Sequence, residues 1–94
     1  MSGYITFRMN GRDLACPLDE VREVVRAVGI EPLPGTRAPV SGMIELRNDP
    51  LPVVDLRSEA YPGEEGDVLV LNPAEGGMYG VAVDRVLAVV SDDD

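Results

Sequence analysis

The first residues of the chain alternate between apolar and polar side chains with the period of a β-strand. Ile5, Phe7 and Met9 lie at every second position, which predicts a strand with one buried face. Asn10-Gly11 follows directly, and this dipeptide favours the two positive φ angles of a tight hairpin turn. The pattern therefore predicts that the chain opens with a β-hairpin.

The return strand of this hairpin is expected from Asp13 to Cys16. Leu14 and Cys16 lie on one face of it, so Cys16 is expected to pack in the core as a small apolar residue. Pro17 has no backbone N–H to donate to a sheet and is expected to end the strand.

The next segment, "LDEVREVVRAVG" at residues 18–29, combines two conflicting signals. Leu18, Val21, Val25 and Val28 share one face of a helix. The segment is nevertheless rich in valine, whose β-branched side chain favours strands. We predict one helical turn from about Leu18 to Val21, followed by a short strand to about Val28.

The rest of the chain has the pattern of further short strands joined by turns. Gly29 to Pro39 contains three prolines and two glycines and is expected to be a rigid crossover between strands. Residues 58–66 are expected to form a polar loop. Two more hairpins are expected, from Met43 to Arg47 with Leu51 to Leu56 around "NDP", and from Val68 to Leu71 with Met78 to Val83 around "NPAEGG". The expected fold class is therefore mainly β, with short strands that form a small barrel.

An internal repeat relates the beginning and the end of the chain. Residues 11–25 ("GRDLACPLDEVREVV") align with residues 76–90 ("GGMYGVAVDRVLAVV"), sixty-five positions apart. A glycine, an aspartate and three valines coincide, at positions 11/76, 19/84, 21/86, 24/89 and 25/90. We therefore expect a single domain over 1–94, with a first repeat over about 4–57, a partial second repeat over about 67–90 and an acidic tail at 91–94.

Composition narrows the classes of partner. Seventeen acidic residues against eight arginines give a net charge of −9, with no lysine and no histidine. Phosphate backbones and anionic lipid surfaces repel such a chain, so nucleic acid and membranes are not expected as partners. A single cysteine forms no internal disulfide, and a cytoplasmic location fits. The longest apolar run, Val86–Val90, is too short to span a membrane.

No catalytic arrangement emerges from the residue types present. Without histidine, Ser/His/Asp and Cys/His sites and the common zinc sites are excluded. Asp19 and Asp84 are equivalent in the repeat and could share a proton as a catalytic pair, but they lack the Asp-Thr/Ser-Gly turn of such pairs. We expect instead that each caps the short turn that begins there. Cys16 has no identifiable base, and the "EEGD" and "SDDD" acids lack the ligand spacing of a calcium loop.

The segment "VSGMIELRNDPLPVVDLR", residues 40–57, is the strongest candidate for a binding surface. It is apolar at most positions yet carries Arg47 just before the predicted turn. An arginine there is either a solvated residue that blunts pairing at a sheet edge or an anchor for a protein partner. The residues alone leave both interpretations open.

Three stretches of the chain resemble the CheW-like family of chemotaxis coupling proteins. They are "YITFRMNGRDLACPLDEVREVV", "PLPGTRAPVSGMIELRNDPLPVVDLR" and "YGVAVDRVLAVV", which span nearly all of residues 4–90 in the family's order. The resemblance implies two small five-stranded β-barrel lobes similar to SH3-like barrels. It also implies a cytoplasmic adaptor without catalytic activity or cofactor. Such an adaptor links a CheA-type histidine kinase, through the kinase's regulatory domain, to the cytoplasmic tips of chemoreceptors.

The same resemblance implies candidate protein-binding residues. Val21, Glu23, Gly42 and Arg47 match positions of the family's partner-binding surface. For Gly42 a structural role, at a close backbone approach or a bulge, carries equal weight.

Two substitutions and the length of the chain depart from the family pattern. The family's asparagine before "LR" is Glu45 here, which adds an acid beside Arg47, and the glycine after it is Asn48, which tolerates the left-handed conformation. Family members continue past "VDxV" with a further hairpin. We therefore expect an incomplete second lobe with an exposed sheet edge. This edge predicts a homo-oligomer, formed by strand exchange or edge pairing, or completion by another protein.

A second hypothesis belongs to a different class of function. The chain could be a self-associating structural β-module, or a degenerate member of the family, that does not couple a receptor to a kinase. Binding to a CheA regulatory domain or to a receptor tip distinguishes the two hypotheses, because only the adaptor requires it.

Overall fold

Strands dominate the part of the chain that the structure, a computed structural model, describes: residues 3–31, 40–57, 66–73 and 76–91. The strands are β1 (Gly3–Met9), β2 (Arg12–Pro17), β3 (Val21–Arg26), β4 (Val40–Leu46), β5 (Asp49–Asp55), β6 (Asp67–Leu71), β7 (Tyr79–Val83) and β8 (Arg85–Ser91). A 3-10 helix, Leu18–Glu20, connects β2 to β3. The expected fold class, mainly β, is confirmed.

The strands form two sheets. One has three strands in the order β2-β1-β8, and the other has five in the order β3-β6-β7-β5-β4. Neighbouring strands are antiparallel except β5 and β7, which are parallel. Beyond β3, Glu31 and Met43 exchange two backbone hydrogen bonds of 2.8 and 2.9 Å. These bonds bring the chain that follows β3 against β4, so the five-stranded sheet curls into a barrel-like lobe.

The interior of the five-stranded sheet is packed with aliphatic side chains. Its buried residues are Ala27, Ile44, Leu51, Val53, Val68, Val70 and Ala82. Each fully buried valine contributes on the order of 1.5–3 kcal/mol to stability. Gly80 borders this core, where an added Cβ would lie 2.6 Å from Cγ1 of Val68 and 3.2 Å from Cδ2 of Leu51. The interior is therefore filled, and position 80 has room for glycine but not for a larger residue.

A second core lies between the two sheets. Ile5 and Met9 of β1 pack with Leu69 of β6 and Val83 of β7. The partly buried residues around them include Phe7, Cys16, Leu18, Val21 and Val86. Successive side chains of a strand point to opposite faces, so β6 can face the first core and the second core at the same time.

The second strand of each aligned segment pairs with the strand that precedes the other segment. β3 pairs with β6, and β8 pairs with β1. Each pairing shifts register at one extra residue, Arg22 in β3 and Leu87 in β8, and these two positions are related by the spacing of the repeat. The aligned segments therefore occupy equivalent places in the sheets, while the repeat boundaries at 4–57 and 67–90 stay a prediction.

The conformation expected at the start of the chain is confirmed. β1 and β2 form an antiparallel hairpin, and its turn residues Asn10 and Gly11 have φ angles of 52° and 80°. The helical turn at Leu18–Glu20 leads directly into β3, as the valine-rich pattern predicts, although β3 ends at Arg26, earlier than expected. β6 and β7 form the third expected hairpin.

The turn of the second hairpin lies earlier than predicted. Leu46 pairs with Asp49, so the turn consists of Arg47 and Asn48, whose φ angles are 49° and 71°. Two consecutive positive φ angles match the twist of the flanking strands. The expected turn at "NDP" is therefore wrong, and Arg47 lies in the turn itself and not in the strand before it.

The capping role expected of Asp19 and Asp84 is also wrong. The helix at Leu18–Glu20 has no side-chain cap hydrogen bond, and β7 leads to β8 through Asp84 alone, with no helical turn to cap. The carboxylate of Asp84 instead accepts a 2.7 Å hydrogen bond from the backbone N–H of Asn10. The N–H of Asp84 donates to the carbonyl oxygen of Arg8. Asp84 thereby joins the β7–β8 corner to the β1–β2 turn.

Several expectations from the sequence fall outside the described residues. These are most of the crossover (32–39), the polar loop (58–65), part of the third turn (74–75) and the acidic tail (92–94). Within the described ranges, no helix has the length and apolar character that crossing a bilayer requires.

A valine should have different effects at the two equivalent positions 80 and 15. Gly80→Val places a branched side chain against Val68 and is expected to destabilise the chain by roughly 1–3 kcal/mol. Ala15→Val enlarges a residue of β2 that is exposed, and is expected to change the free energy of unfolding by less than about 0.5 kcal/mol. Urea unfolding followed by circular dichroism measures both changes. Equal losses in the two variants would contradict this packing.

Candidate functional site

An ion pair between Glu23 and Arg47 lies at the surface of the five-stranded sheet. Glu23 belongs to β3, which forms one edge of the sheet. Arg47 belongs to the turn between β4 and β5, and β4 forms the other edge of the sheet. Nη1 of Arg47 donates to Oε1 of Glu23 at 3.1 Å, and Nη2 donates to Oε2. Two parallel hydrogen bonds fix the guanidinium in one orientation. The pair therefore joins the two edges of the curled sheet.

Both groups of the ion pair are held in their charged forms. The hydrogen bond from Arg47 lowers the pKa of the Glu23 carboxyl below its ordinary value, and the same bond raises the pKa of Arg47. The Arg47 side chain is 67 % exposed and that of Glu23 is 25 % exposed. A guanidinium has five N–H donors, and the carboxylate engages only one edge of it. Arg47 can therefore bind a further acceptor while it stays paired with Glu23.

A shallow recess of about 80 Å³ lies beside Arg47. Its lining consists of Leu46, Arg47, Asp49, Pro50, Leu51 and Met78. Met78 is 41 % exposed, so the recess has an accessible apolar wall next to a charged group. Such an arrangement can hold an apolar side chain while the arginine donates hydrogen bonds to the chain that carries it.

The other two residues that the sequence singled out lie elsewhere. Val21 is half-buried and packs in the core between the sheets. Gly42 is buried beside a bulge in β4, where an added Cβ would clash with the carbonyl oxygen of Glu31. This close approach favours the structural role of Gly42. Roles for Val21 and Gly42 in partner binding stay predictions.

The contact between Glu23 and Arg47 is one that the sequence analysis missed. The two residues are 24 positions apart, and the interpretation of Arg47 as a solvated strand residue is wrong because Arg47 lies in a turn. The position of Glu23 in the strand was one signal in the sequence from which a charged partner could have been predicted. It shares a face of β3 with Val25, which packs against the barrel core, and an acid on an apolar face calls for a charged partner.

Within the described residues, the remaining candidate group is Cys16. Cys16 is half-buried and borders the core between the sheets. Burial raises the pKa of its thiol, and the carboxylate of Glu20 adds to this effect, so the reactive thiolate is disfavoured. In the ranges that the structure covers, no three cysteine or acidic side chains are grouped as ligands for a metal ion.

Known proteins resemble this chain in sequence. The family model for the CheW-like domain matches residues 3–93. Chemotaxis protein CheW of Treponema pallidum (strain Nichols) is 25 % identical over 96 residues, which cover 93 % of this chain and 56 % of that protein. Protein PilI of Pseudomonas aeruginosa is 40 % identical over 52 residues, which cover 55 % of this chain and 29 % of that protein.

A solved structure shares the fold. The scaffolding protein TtCheW from Thermoanaerobacter tengcongensis matches with a TM-score of 0.81 at 23 % identity, over 99 % of this chain and 63 % of that one. The likeness confirms the expected two-lobed β architecture. The chain spans little more than half the length of the Treponema protein.

The carboxyl of Glu23 should titrate at a lower pH than an ordinary glutamate as long as Arg47 is present. Arg47→Ala removes the hydrogen bond that lowers the pKa of Glu23, so this pKa is expected to rise to its ordinary range. Arg12→Ala, in the three-stranded sheet, is the matched control and should leave it unchanged. NMR titration of the side-chain carboxyl signals measures the pKa, and equal values in wild type and Arg47→Ala would contradict the ion pair.

The sign of the pH dependence of stability follows from the same shift. The pKa of Glu23 is lower in the folded chain than in the unfolded chain. The stabilisation by the ion pair is therefore present above the unfolded-state pKa and is lost as the pH falls through the folded-state pKa.

Proposed function

Because this chain belongs to the CheW-like domain family, we propose that it is a non-enzymatic adaptor of chemotaxis-type signal transduction. In this role it couples chemoreceptors to a CheA-type histidine kinase through protein–protein contacts alone. The family match over residues 3–93 carries the proposal, because it extends over both sheets and not over one short motif. Two relatives, a chemotaxis protein and a scaffolding protein, support the same class of function.

The geometry of the ion pair supports a role in binding. Arg47 lies in a two-residue turn between paired strands, and Glu23 holds its guanidinium in place. A partner therefore meets an arginine that loses little conformational freedom on binding. The recess beside Arg47 takes an apolar side chain of the same partner. Val21 and Gly42 complete the proposed surface on the family resemblance alone.

The proposal assigns two protein partners. They are the regulatory domain of a CheA-type histidine kinase and the cytoplasmic tip of a chemoreceptor, which places the adaptor in the cytoplasm. The net charge of −9 favours a partner surface with basic residues. Cofactors, nucleic acid and membrane insertion have no part in this role.

Arg47→Ala is expected to weaken binding to the kinase regulatory domain or to the receptor tip by at least about ten-fold. The reason is that the variant loses the hydrogen-bond donors and one wall of the recess. Isothermal titration calorimetry with each purified partner measures the affinity, and circular dichroism checks that the variant folds. Arg12→Ala is the matched control, because it removes an exposed arginine from the other sheet.

Two outcomes would contradict the adaptor. Wild-type chain that binds neither partner would favour the structural β-module. Equal weakening by Arg47→Ala and Arg12→Ala would show that general charge, and not the site, governs binding. Self-association of the free chain stays a prediction, which light scattering tests.

A further inference from the structure

The side-chain amides of the chain are confined to three positions. The sequence contains no glutamine, and its asparagines are Asn10, Asn48 and Asn72. Asparagine is one of the thermolabile residues, because the backbone nitrogen of the next residue can attack the carbon of its side-chain amide. The residue that follows each asparagine therefore decides whether the amide is lost. These residues are a glycine, an aspartate and a proline.

The turn between β1 and β2 leaves the nitrogen after Asn10 accessible. Asn10 and Gly11 are both exposed, and they form a two-residue turn with φ angles of 52° and 80° between the paired residues Met9 and Arg12. Among the hydrogen bonds of the described residues, none uses the N–H of Gly11. Glycine carries no Cβ, and a Cβ built at position 11 has no heavy atom within 4 Å. The attacking nitrogen is therefore unhindered.

The turn between β4 and β5 holds its asparagine one place later. Asn48 is the second residue of that turn, so the nitrogen after it belongs to Asp49, which is paired with Leu46 in the sheet. This nitrogen is restrained by the sheet, and its residue carries a side chain. Asn72 is followed by a proline, which has no N–H to lose. Within the described residues, Asn10 alone has an unhindered and unpaired nitrogen next to it.

We propose that Asn10 is a modification site, at which the folded chain loses the side-chain amide by deamidation without an enzyme. The co-reactant is water, which reaches the exposed turn from the solvent. The products are isoaspartate and aspartate at position 10, and both carry a new negative charge. This modification is a property of the chain by itself and does not depend on coupling to a receptor or a kinase.

The reaction has two steps and involves no oxidation or reduction. In the first, the nitrogen of Gly11 forms a bond to Cγ of Asn10, and the bond from Cγ to Nδ2 breaks. Nδ2 leaves as ammonia and takes the proton of the Gly11 N–H. In the second, water opens the five-membered imide and returns a proton to the nitrogen. Opening at Cγ gives aspartate, whereas opening at the backbone carbonyl carbon gives isoaspartate, whose backbone runs through Cγ.

The backbone N–H of Asn10 also holds the turn to the rest of the fold. It donates a 2.7 Å hydrogen bond to Oδ2 of Asp84, and the N–H of Asp84 donates a 3.1 Å bond to the carbonyl oxygen of Arg8. Asp84 alone connects β7 to β8, and these two strands belong to different sheets. A change at residue 10 therefore acts on the connection between the sheets.

Isoaspartate disturbs this connection in two ways. Its backbone contains one extra carbon atom, so the turn no longer matches the short distance between the paired residues Met9 and Arg12. Its carboxylate is attached to Cα, next to the nitrogen that contacts Asp84, so two negative charges are brought together. The aspartate product shares only the added charge. Deamidation is therefore expected to loosen the β1–β2 turn from the β7–β8 corner.

Mass spectrometry of the full folded chain after incubation in warm, mildly alkaline buffer tests the site. Trypsin cleaves after arginine and places the three asparagines in separate fragments, residues 9–12, 48–57 and 58–85. Deamidation raises the mass of a fragment by about 1 Da, and water labelled with oxygen-18 marks the conversion that occurs during incubation. Asn10 is expected to convert at least about ten-fold faster than Asn48, because glycine leaves its nitrogen unhindered.

Two matched variants test the effect on stability. Asn10→Gly removes the side-chain amide but keeps the backbone N–H that contacts Asp84, and glycine tolerates the positive φ angle. Asn48→Gly makes the same change in the other turn and leaves Asn10 in place. During incubation the urea midpoint of wild type and of Asn48→Gly is expected to fall, whereas that of Asn10→Gly should stay constant. Circular dichroism of fresh samples confirms that both variants fold.

The contribution of Asp84 is measured separately. Asn10→Asp introduces the new charge directly and is expected to lower the urea midpoint of the fresh chain. Asp84→Asn removes the neighbouring charge, so the effect of Asn10→Asp should be at least about two-fold smaller in that background. The same effect in both backgrounds would contradict the link to Asp84.

Three further results would overturn the proposal. One is equal conversion of Asn10 and Asn48 in the folded chain. A second is conversion of Asn10 only in chain unfolded by urea, which would mean that the fold protects the site. The third is an equal fall of the urea midpoint in wild type and Asn10→Gly, which would assign the loss to another residue. None of these results bears on receptor or kinase coupling, which the Arg47 variant tests.

Discussion

The crossed pairing, in which the second strand of each aligned segment pairs with the strand that precedes the other segment, is the constraint on which the rest of the structure depends. β3 pairs with β6 and β8 pairs with β1, so each sheet contains strands from both the first part of the chain (β1–β5) and the second part (β6–β8). The same crossing packs Ile5 and Met9 of β1 against Leu69 and Val83 of the other sheet. The two sheets therefore share the core that lies between them, and a change at either end of the chain affects both.

The candidate site is a consequence of this arrangement. β3 becomes an edge of the five-stranded sheet because it pairs with β6 and with no other described strand, and the curl of the sheet brings it to the β4–β5 turn. Glu23 and Arg47 meet only in the curled sheet. A partner that binds the oriented guanidinium of Arg47 therefore binds the closed lobe and not an isolated hairpin. The Glu23–Arg47 ion pair therefore couples the proposed binding surface to the fold.

The two lobes use equivalent strands in different ways. In the five-stranded sheet, Val70 and Gly80 are shaped for burial under β4 and β5. In the three-stranded sheet, the matching residues are Thr6 and Ala15, which are polar enough or small enough for contact with water. The two sheets therefore carry side chains of different size and polarity at equivalent positions.

The sequence by itself determined where the strands lie, because a strand is indicated by the pattern of residues that are neighbours in the sequence. The alternation in β1, the Asn10-Gly11 turn and the valines after Leu18–Glu20 predicted the observed elements, and the repeat related β3 to β8. Only the tertiary structure decided which strands pair, that Arg47 enters the turn, and which charges meet. The bond from Asn10 to Asp84 spans 74 residues. Such contacts depend on the pairing of β3 with β6 and of β8 with β1. No local pattern in the sequence encodes the pairing of strands that lie so far apart along the chain.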